Sequence, residues 1–309
     1  MPFTLSHPAA VIPLLRPPFV PVALVMGAVA PDIPYFLQIP RIPVTAGAWY
    51  EPFLNATTSH SPTGALTVAL PLALTLVAGY RLLREPVSAL LPPTFTLPPP
   101  APPRRAGELA RRAGWLLLSA LIGIATHLIW DSFTHADSYV ADRVAFLRDP
   151  LPGGLTVARL LQHLSTATGL VAIGIHLRRL RTRPRAARPG RRTPLTPRAR
   201  WGVTALLIAA ALLGAVAHTR GLDSYRLVTV DDTSNPITRD LGGGVTETSY
   251  PATTENAPWA TVAEGALSDA AKGAGASLAV ALVLYSAAWH GHRALGPRRR
   301  VDAETSRRH

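Results

Sequence analysis

The stretch GIATHLIWDSFTHADSY, residues 123–139, decides the reading of this chain. It sets His127, Asp131 and His135 four residues apart in an otherwise apolar run. Four residues of α-helix turn through about 400° and rise about 6 Å, so each group lies only about 40° from the last. The three side chains share one stripe. Burying two imidazoles and a carboxylate on an apolar helix is costly unless something on that face partners them.

The composition around this helix points to a membrane. Of 309 residues, 48% are hydrophobic and only 16% charged, too apolar for an ordinary soluble domain. Basic residues outnumber acidic ones 31 to 18, and all but one are Arg. The Arg residues fall between hydrophobic segments rather than along one polar face, which argues against nucleic acid and for the flanks of spanning helices. There are no cysteines, so disulfides and thiolate metal sites are excluded. The opening MPFTLSHPAAVIPLLRPP has no basic n-region and no small-residue cleavage site, so it is not read as a removable signal.

Five segments are of spanning length or nearly so: 64–83, 114–131, 155–177, 201–218 and 275–292. The first 40 residues are apolar too, but Pro13, Pro17, Pro18 and Pro21 cut them into pieces too short to cross. Two short helices, about 8–16 and 19–30, fit a re-entrant or interfacial hairpin, with Ser6 a candidate cap. The expected fold is therefore an all-α, multi-pass transmembrane helical bundle with about five spans. Its divisions are a helical membrane domain at 1–218, a polar insertion at 219–274, a last span at 275–292 and a basic tail at 293–309.

Arginine orients the bundle. The loop after the first span carries Arg81, Arg84, Arg104, Arg105, Arg111 and Arg112 around a Pro-rich stretch. Residues 178–200 hold ten Arg and no acid, and the tail from 293 holds six more. With alternating spans all three lie on one side, the cytoplasm, where they would meet anionic lipid headgroups of the plasma membrane. The insertion, with eight acidic and four basic residues, faces outside. Its Gly242–Gly244 run reads as a flexible turn, and Trp49, Trp115, Trp130, Trp201 and Trp289 read as an interfacial belt.

That topology gathers the ionisable groups. Asp32 is pinned between prolines in APDIPYF, and His60 precedes the first span in TSHSPTGAL. His127, Asp131 and His135 lie at the outer end of the second span, and His163 (LLQHLST) lies within the third. His7 reaches the same zone if the N-terminal hairpin dips in from outside. A lone His in a span is more often a helix–helix hydrogen bond than a ligand. The set as a whole favours a metal, since intramembrane ionisable groups are usually functional. Imidazole and carboxylate without thiolate suit Zn²⁺, with Mn²⁺ or Fe²⁺ as alternatives. One ion with an open position, or two bridged by Asp131, would support phosphoester or acyl hydrolysis, with His7 or His135 as acid/base or second-ion ligand. His176, His218, His290 and His292 sit at span ends and receive no role.

These residues also carry a resemblance. MPFTLSHPAA, APDIPYF, SHSPTGAL, THLIWDSFTH and QHLSTATG resemble an uncharacterised family of bacterial integral-membrane proteins of unknown function, over residues 1 to about 218. More distantly, the order of His and Asp is similar to the YdjM-like membrane-bound metal-dependent hydrolases and to the zinc-dependent phospholipase C and P1 nuclease superfamily. That likeness implies that Asp32, His60, His127 and Asp131 hold one zinc, that His7 and Asp131 belong to a second, and that His135 and His163 are remnants of a third. Ala167 stands where those enzymes carry Glu, so one or two ions are implied. The expected function is a zinc-dependent hydrolase of a lipid-like or phosphoester substrate at the outer face. The competing classes are a non-enzymatic protein with a structural metal or partner site, and a transporter.

Overall fold

The computed structural model describes residues 4–37, 48–91, 106–135, 138–151, 155–182, 195–219, 223–232, 234–242 and 245–295. Most of the Pro-rich stretch, Arg104 and Arg105, much of the Arg-rich loop, Gly243 and Gly244, and the tail from 296 lie outside those residues. Proline shapes the N-terminus. Pro8 and Pro13 withhold two backbone donors, and Thr4–Leu14 winds as a 3-10 helix rather than the α-helix expected over 8–16. Ser6 lies buried inside that helix and is not its cap. Pro21 starts helix α1 (Pro21–Val29), a 3-10 turn at Ala30–Asp32 follows, and α2 (Ile33–Leu37) continues from it.

Two short helices, α3 (Glu51–Leu54) and α4 (Ala56–Ser59), lead to α5 (Pro62–Gly64). Asn55 caps α4 by accepting from the Thr57 N–H at 3.0 Å, and Ser61 caps α5 by accepting from the Gly64 N–H at 3.0 Å. The chain runs on through a π-turn at Ala65–Ala69 into α6 (Leu70–Leu90), where Pro71 has no N–H to offer the Thr67 carbonyl. Then come α7 (Ala106–Thr134), the small ribbon β1 (Pro150–Leu151) with β2 (Leu155–Thr156), α8 (Val157–Thr182) and α9 (Pro197–His218). After the short α10 (Asp223–Arg226), β3 (Leu227–Asp231) pairs antiparallel with β6 (Ala252–Asn256), and β4 (Ile237–Gly242) with β5 (Val245–Ser249). The last helix, α11 (Trp259–Leu295), begins well before the expected 275.

Among the described residues, five helices are long and apolar enough to cross a membrane: Pro62–Leu90, Ala106–Thr134, Val157–Thr182, Pro197–His218 and Trp259–Leu295. The protein is an all-α membrane bundle carrying only small two-stranded ribbons. Two compact units divide it, Met1–Thr204 with Leu282–His309, and Ala205–Ala281. In the second unit α9 meets α11 at glycine. A Cβ on Gly214 would lie 2.4 Å from the Gly273 carbonyl oxygen, so any side chain there would part the helices.

In the first unit the same device joins α1 to α7. A Cβ on Gly27 would sit 2.2 Å from the Ala120 carbonyl oxygen, and one on Gly123 would sit 2.2 Å from that of Leu24. Ala23, Ala30, Ala69, Ala73, Val77, Ala120 and Ile124 form the apolar core around this crossing. The second joint of this unit is polar. Pro86 supplies no N–H to the Leu82 carbonyl four residues earlier, and α11 fills the gap. Ser286 Oγ and His290 Nε2 donate to the Leu82 oxygen at 3.2 and 3.0 Å, and the Tyr285 hydroxyl donates to the Pro86 oxygen at 3.1 Å. His290, left without a role by the sequence, is thus a helix–helix hydrogen bond.

Replacing Ser286 with Ala and His290 with Leu together strands the Leu82 carbonyl. The expected loss is about 1–3 kcal/mol of stability, read as a lower unfolding midpoint of the detergent-solubilised protein, with wild-type stability as the contrary result.

Candidate metal centre

The close α1–α7 crossing brings the Ala28 carbonyl within reach of the His127 ring. His127 Nδ1 donates to it at 2.8 Å, which turns Nε2 inward. His60 is held in the same manner, its Nδ1 donating to the Ala56 carbonyl at 2.7 Å. In their neutral forms both imidazoles therefore present an Nε2 lone pair to the interior. Ligating histidines are oriented by this arrangement, a carbonyl fixing the tautomer from behind.

Around those two nitrogens stand Asp32 Oδ1 and Asp131 Oδ2. The two nitrogens are 3.2 Å apart. His60 Nε2 lies 3.5 Å from Asp32 Oδ1 and 3.3 Å from Asp131 Oδ2, and His127 Nε2 lies 3.5 and 3.1 Å from the same atoms. All four ligand atoms fall within 4.8 Å of one another. A tetrahedron with bonds of about 2.0–2.1 Å to nitrogen and oxygen has edges of about 3.3–3.4 Å, and the five separations that involve an imidazole, 3.1–3.5 Å, match it. Four acceptors at this spacing repel one another unless a cation sits between them. The burial agrees. Asp32 Oδ1 and Oδ2, Asp131 Oδ2 and His7 Nδ1 are buried without a hydrogen-bond partner, and such orphans are rare in a folded chain. The group could hold a metal ion.

The loops that deliver Asp32 and His60 are tied together by Ser59. Its hydroxyl, fully buried, donates to the Pro31 carbonyl at 2.6 Å and to Ala56 at 2.9 Å. Sequence reasoning passed over Ser59, although its place directly before His60 was visible. Tyr35 was missed as well. It stands edge-on to His60 with ring centroids 6.3 Å apart, and burial together with the Asp32 and Asp131 carboxylates pushes its hydroxyl up to about 12.

Other sequence candidates fall elsewhere. His7 is buried, stacks on His127 at 3.9 Å, and its Nε2 donates to Asp131 Oδ1 at 3.0 Å, outside the four-atom group. His135 lies at the rim with its side chain 32% exposed, and its Nδ1 donates to the Asp131 carbonyl at 3.1 Å. His163 faces outward from α8 and forms no hydrogen bond or ion pair among the described residues. The buried residues of α8 are Val157, Ala158, Gln162 and Gly169 instead, so His163 does not join the cluster around His127.

Once this geometry is in hand, comparison places the chain. It belongs to the family described as Domain of unknown function (DUF4184), which matches residues 1–287. No curated protein and no solved structure matches it. The wider likeness to zinc-dependent phospholipase C therefore rests on the order of His and Asp residues alone.

Without an ion, His60 holds a proton where the cation would be. Burial opposes that charge, but contact with the Asp131 and Asp32 carboxylates outweighs it and raises the pKa to about 9. Metal must displace this proton, so zinc affinity should rise with pH from 6 towards 9. Chelator competition across that range measures it, and a pH-independent affinity contradicts the site. His127→Ala and Asp131→Ala should each abolish stoichiometric metal in the purified protein.

Proposed function

We propose that this DUF4184 protein is a membrane-embedded, metal-dependent hydrolase acting on a lipid-like or phosphoester substrate at the outer face of the plasma membrane. The observation that carries the proposal is the convergence of two imidazoles and two carboxylates within 4.8 Å of one another, two of them on a spanning helix. A divalent ion there, zinc in the first instance, supplies Lewis acidity to polarise the scissile ester and activate water. The side chain of His60 is 22% exposed, so the group is approached from its side. His135 stands at the rim as the acid/base. Its Nδ1 is committed to the Asp131 carbonyl, leaving Nε2 to accept a proton, and burial lowers its pKa so that the ring is neutral near pH 7. His7, 3% exposed, is too enclosed for that task.

One observation favours a second reading. Four protein ligands at tetrahedral spacing fill the coordination of zinc, as structural sites do. In that case the ion staples α1, the His60 loop and α7 without turnover. Metal analysis with a panel of phosphoester and acyl lipids separates the two. Hydrolysis reduced about 10²–10⁴-fold by His135→Gln with metal retained supports the enzyme. Bound metal with no turnover on any headgroup supports the staple.

The orientation is part of the proposal, with the Arg-rich loops cytoplasmic against anionic lipid and the site outside. The chain lacks cysteine, so single introduced thiols report it cleanly. Thr57→Cys should react in intact cells with a membrane-impermeant maleimide, and Arg181→Cys only after permeabilisation. The reverse pattern places the site inside.

A further inference from the structure

The two aspartates of the cluster each have a second oxygen, and His7 lies against both. Its Nε2 donates to Asp131 Oδ1 at 3.0 Å, while its Nδ1 is 4.0 Å from Asp32 Oδ2. Those are not the oxygens that face the two imidazoles. Asp131 Oδ2 and Asp32 Oδ1 do that. The His7 ring also stacks on His127 at 3.9 Å with an interplanar angle of 22°, so one side chain touches three of the four ligand-bearing residues. A carboxylate free to rotate would exchange its two oxygens and lose its aim. One hydrogen bond to the far oxygen prevents that.

We propose that His7 is a positioning residue that aims the Asp131 carboxylate at the metal, and that α8 controls it remotely through the glycine seat at Gly169. The inference rests on the metal-site reading above and adds to it a residue and a helix that supply no ligand. The 3-10 helix Thr4–Leu14 packs on α8, and at Gly169 α8 has no side chain to hold the two apart. A Cβ on Gly169 would stand 3.0 Å from both the Cβ and the carbonyl oxygen of Ser6, and 3.5 Å from the Cβ of Ala9. Ser6 precedes His7 directly, and its carbonyl belongs to a backbone stiffened by Pro8. A bulky residue at 169 must therefore lift Ser6, and His7 moves with it. On the inner side Val11 packs in a buried cluster with Leu24 and Ala28 of the α1 segment, so the 3-10 helix is clamped between α8 and α1. The third long helix thus serves the site by seating His7, where His163 on its outer face does not.

The test uses the full chain purified in detergent, with zinc affinity read by chelator competition and coordination read from the visible spectrum of the Co²⁺-loaded protein. His7→Ala should weaken zinc about 10–100-fold while the Co²⁺ spectrum keeps its tetrahedral form. His7→Gln, whose amide N–H can replace the Nε2 donor, should recover most of the affinity. Gly169→Leu should weaken zinc as His7→Ala does. Gly174→Leu on the same helix, where a Cβ meets nothing within 4 Å, should bind as wild type does. Wild-type affinity in His7→Ala overturns the positioning role while leaving the metal site standing. Loss of the tetrahedral spectrum in His7→Ala and His7→Gln alike makes His7 a ligand and also overturns it. Wild-type affinity in Gly169→Leu removes the control by α8, and a wild-type protein that takes up no ion removes the site and this inference together.

Discussion

Backbone touching backbone is the constraint from which the site follows. Gly27 against Ala120 and Gly123 against Leu24 let α1 and α7 approach more closely than any side chain would permit. At that separation the Ala28 carbonyl can accept from His127, and the ring is fixed edge-on to Asp131 one turn further along α7. Asp32 follows from the same helix end, because the Ala30–Asp32 turn continues α1 and delivers the carboxylate at the level of His127. Packing and chemistry here are one arrangement.

The arrangement also balances its charges. Two carboxylates in largely apolar surroundings would be costly without partners, since the low dielectric that strengthens attraction equally penalises an isolated anion. A divalent ion with two neutral imidazoles cancels two carboxylates and also gives a partner to the buried carboxylate oxygens that have no donor. The acceptors behind the imidazoles are backbone carbonyls, whose positions are set by the helices, so the shell is prepared by the fold and does not depend on loop rearrangement.

What the sequence disclosed follows from which rules are local. Helical spacing places His127 and Asp131 on one face whatever surrounds them, and length with apolarity marks the five spans. The proline-pinned Asp32 and the place of His60 just ahead of the first span were enough to bring both to the end of the bundle that holds Asp131. The choice between Gln162 and His163 was different. Adjacent residues on a helix differ by about 100°, and which of them is buried depends on the N-terminal 3-10 helix that packs there, a partner over 100 residues distant. Ser6 was misread as a cap for a related reason, because two prolines favour a 3-10 helix whose start lies earlier. His290 gained its role only from Pro86, which frees a carbonyl on another helix. The β-branched strands of the insertion, LVTVD and ATTEN, were present in the sequence but short enough to pass as loop.

The long span of chain between His7 and Asp131, 124 residues, has a consequence for biogenesis. A chain is synthesised from its N-terminus, so the 3-10 helix emerges before any of its contacts on α7 or α8 exists. Three further helices, α6, α7 and α8, must be made before it can dock on both α7 and α8. Completion of the four-residue group's surroundings is therefore a late, post-insertional event. A nascent chain stalled before Gly169 would carry all four ligand-bearing residues yet lack the surface that holds them in register.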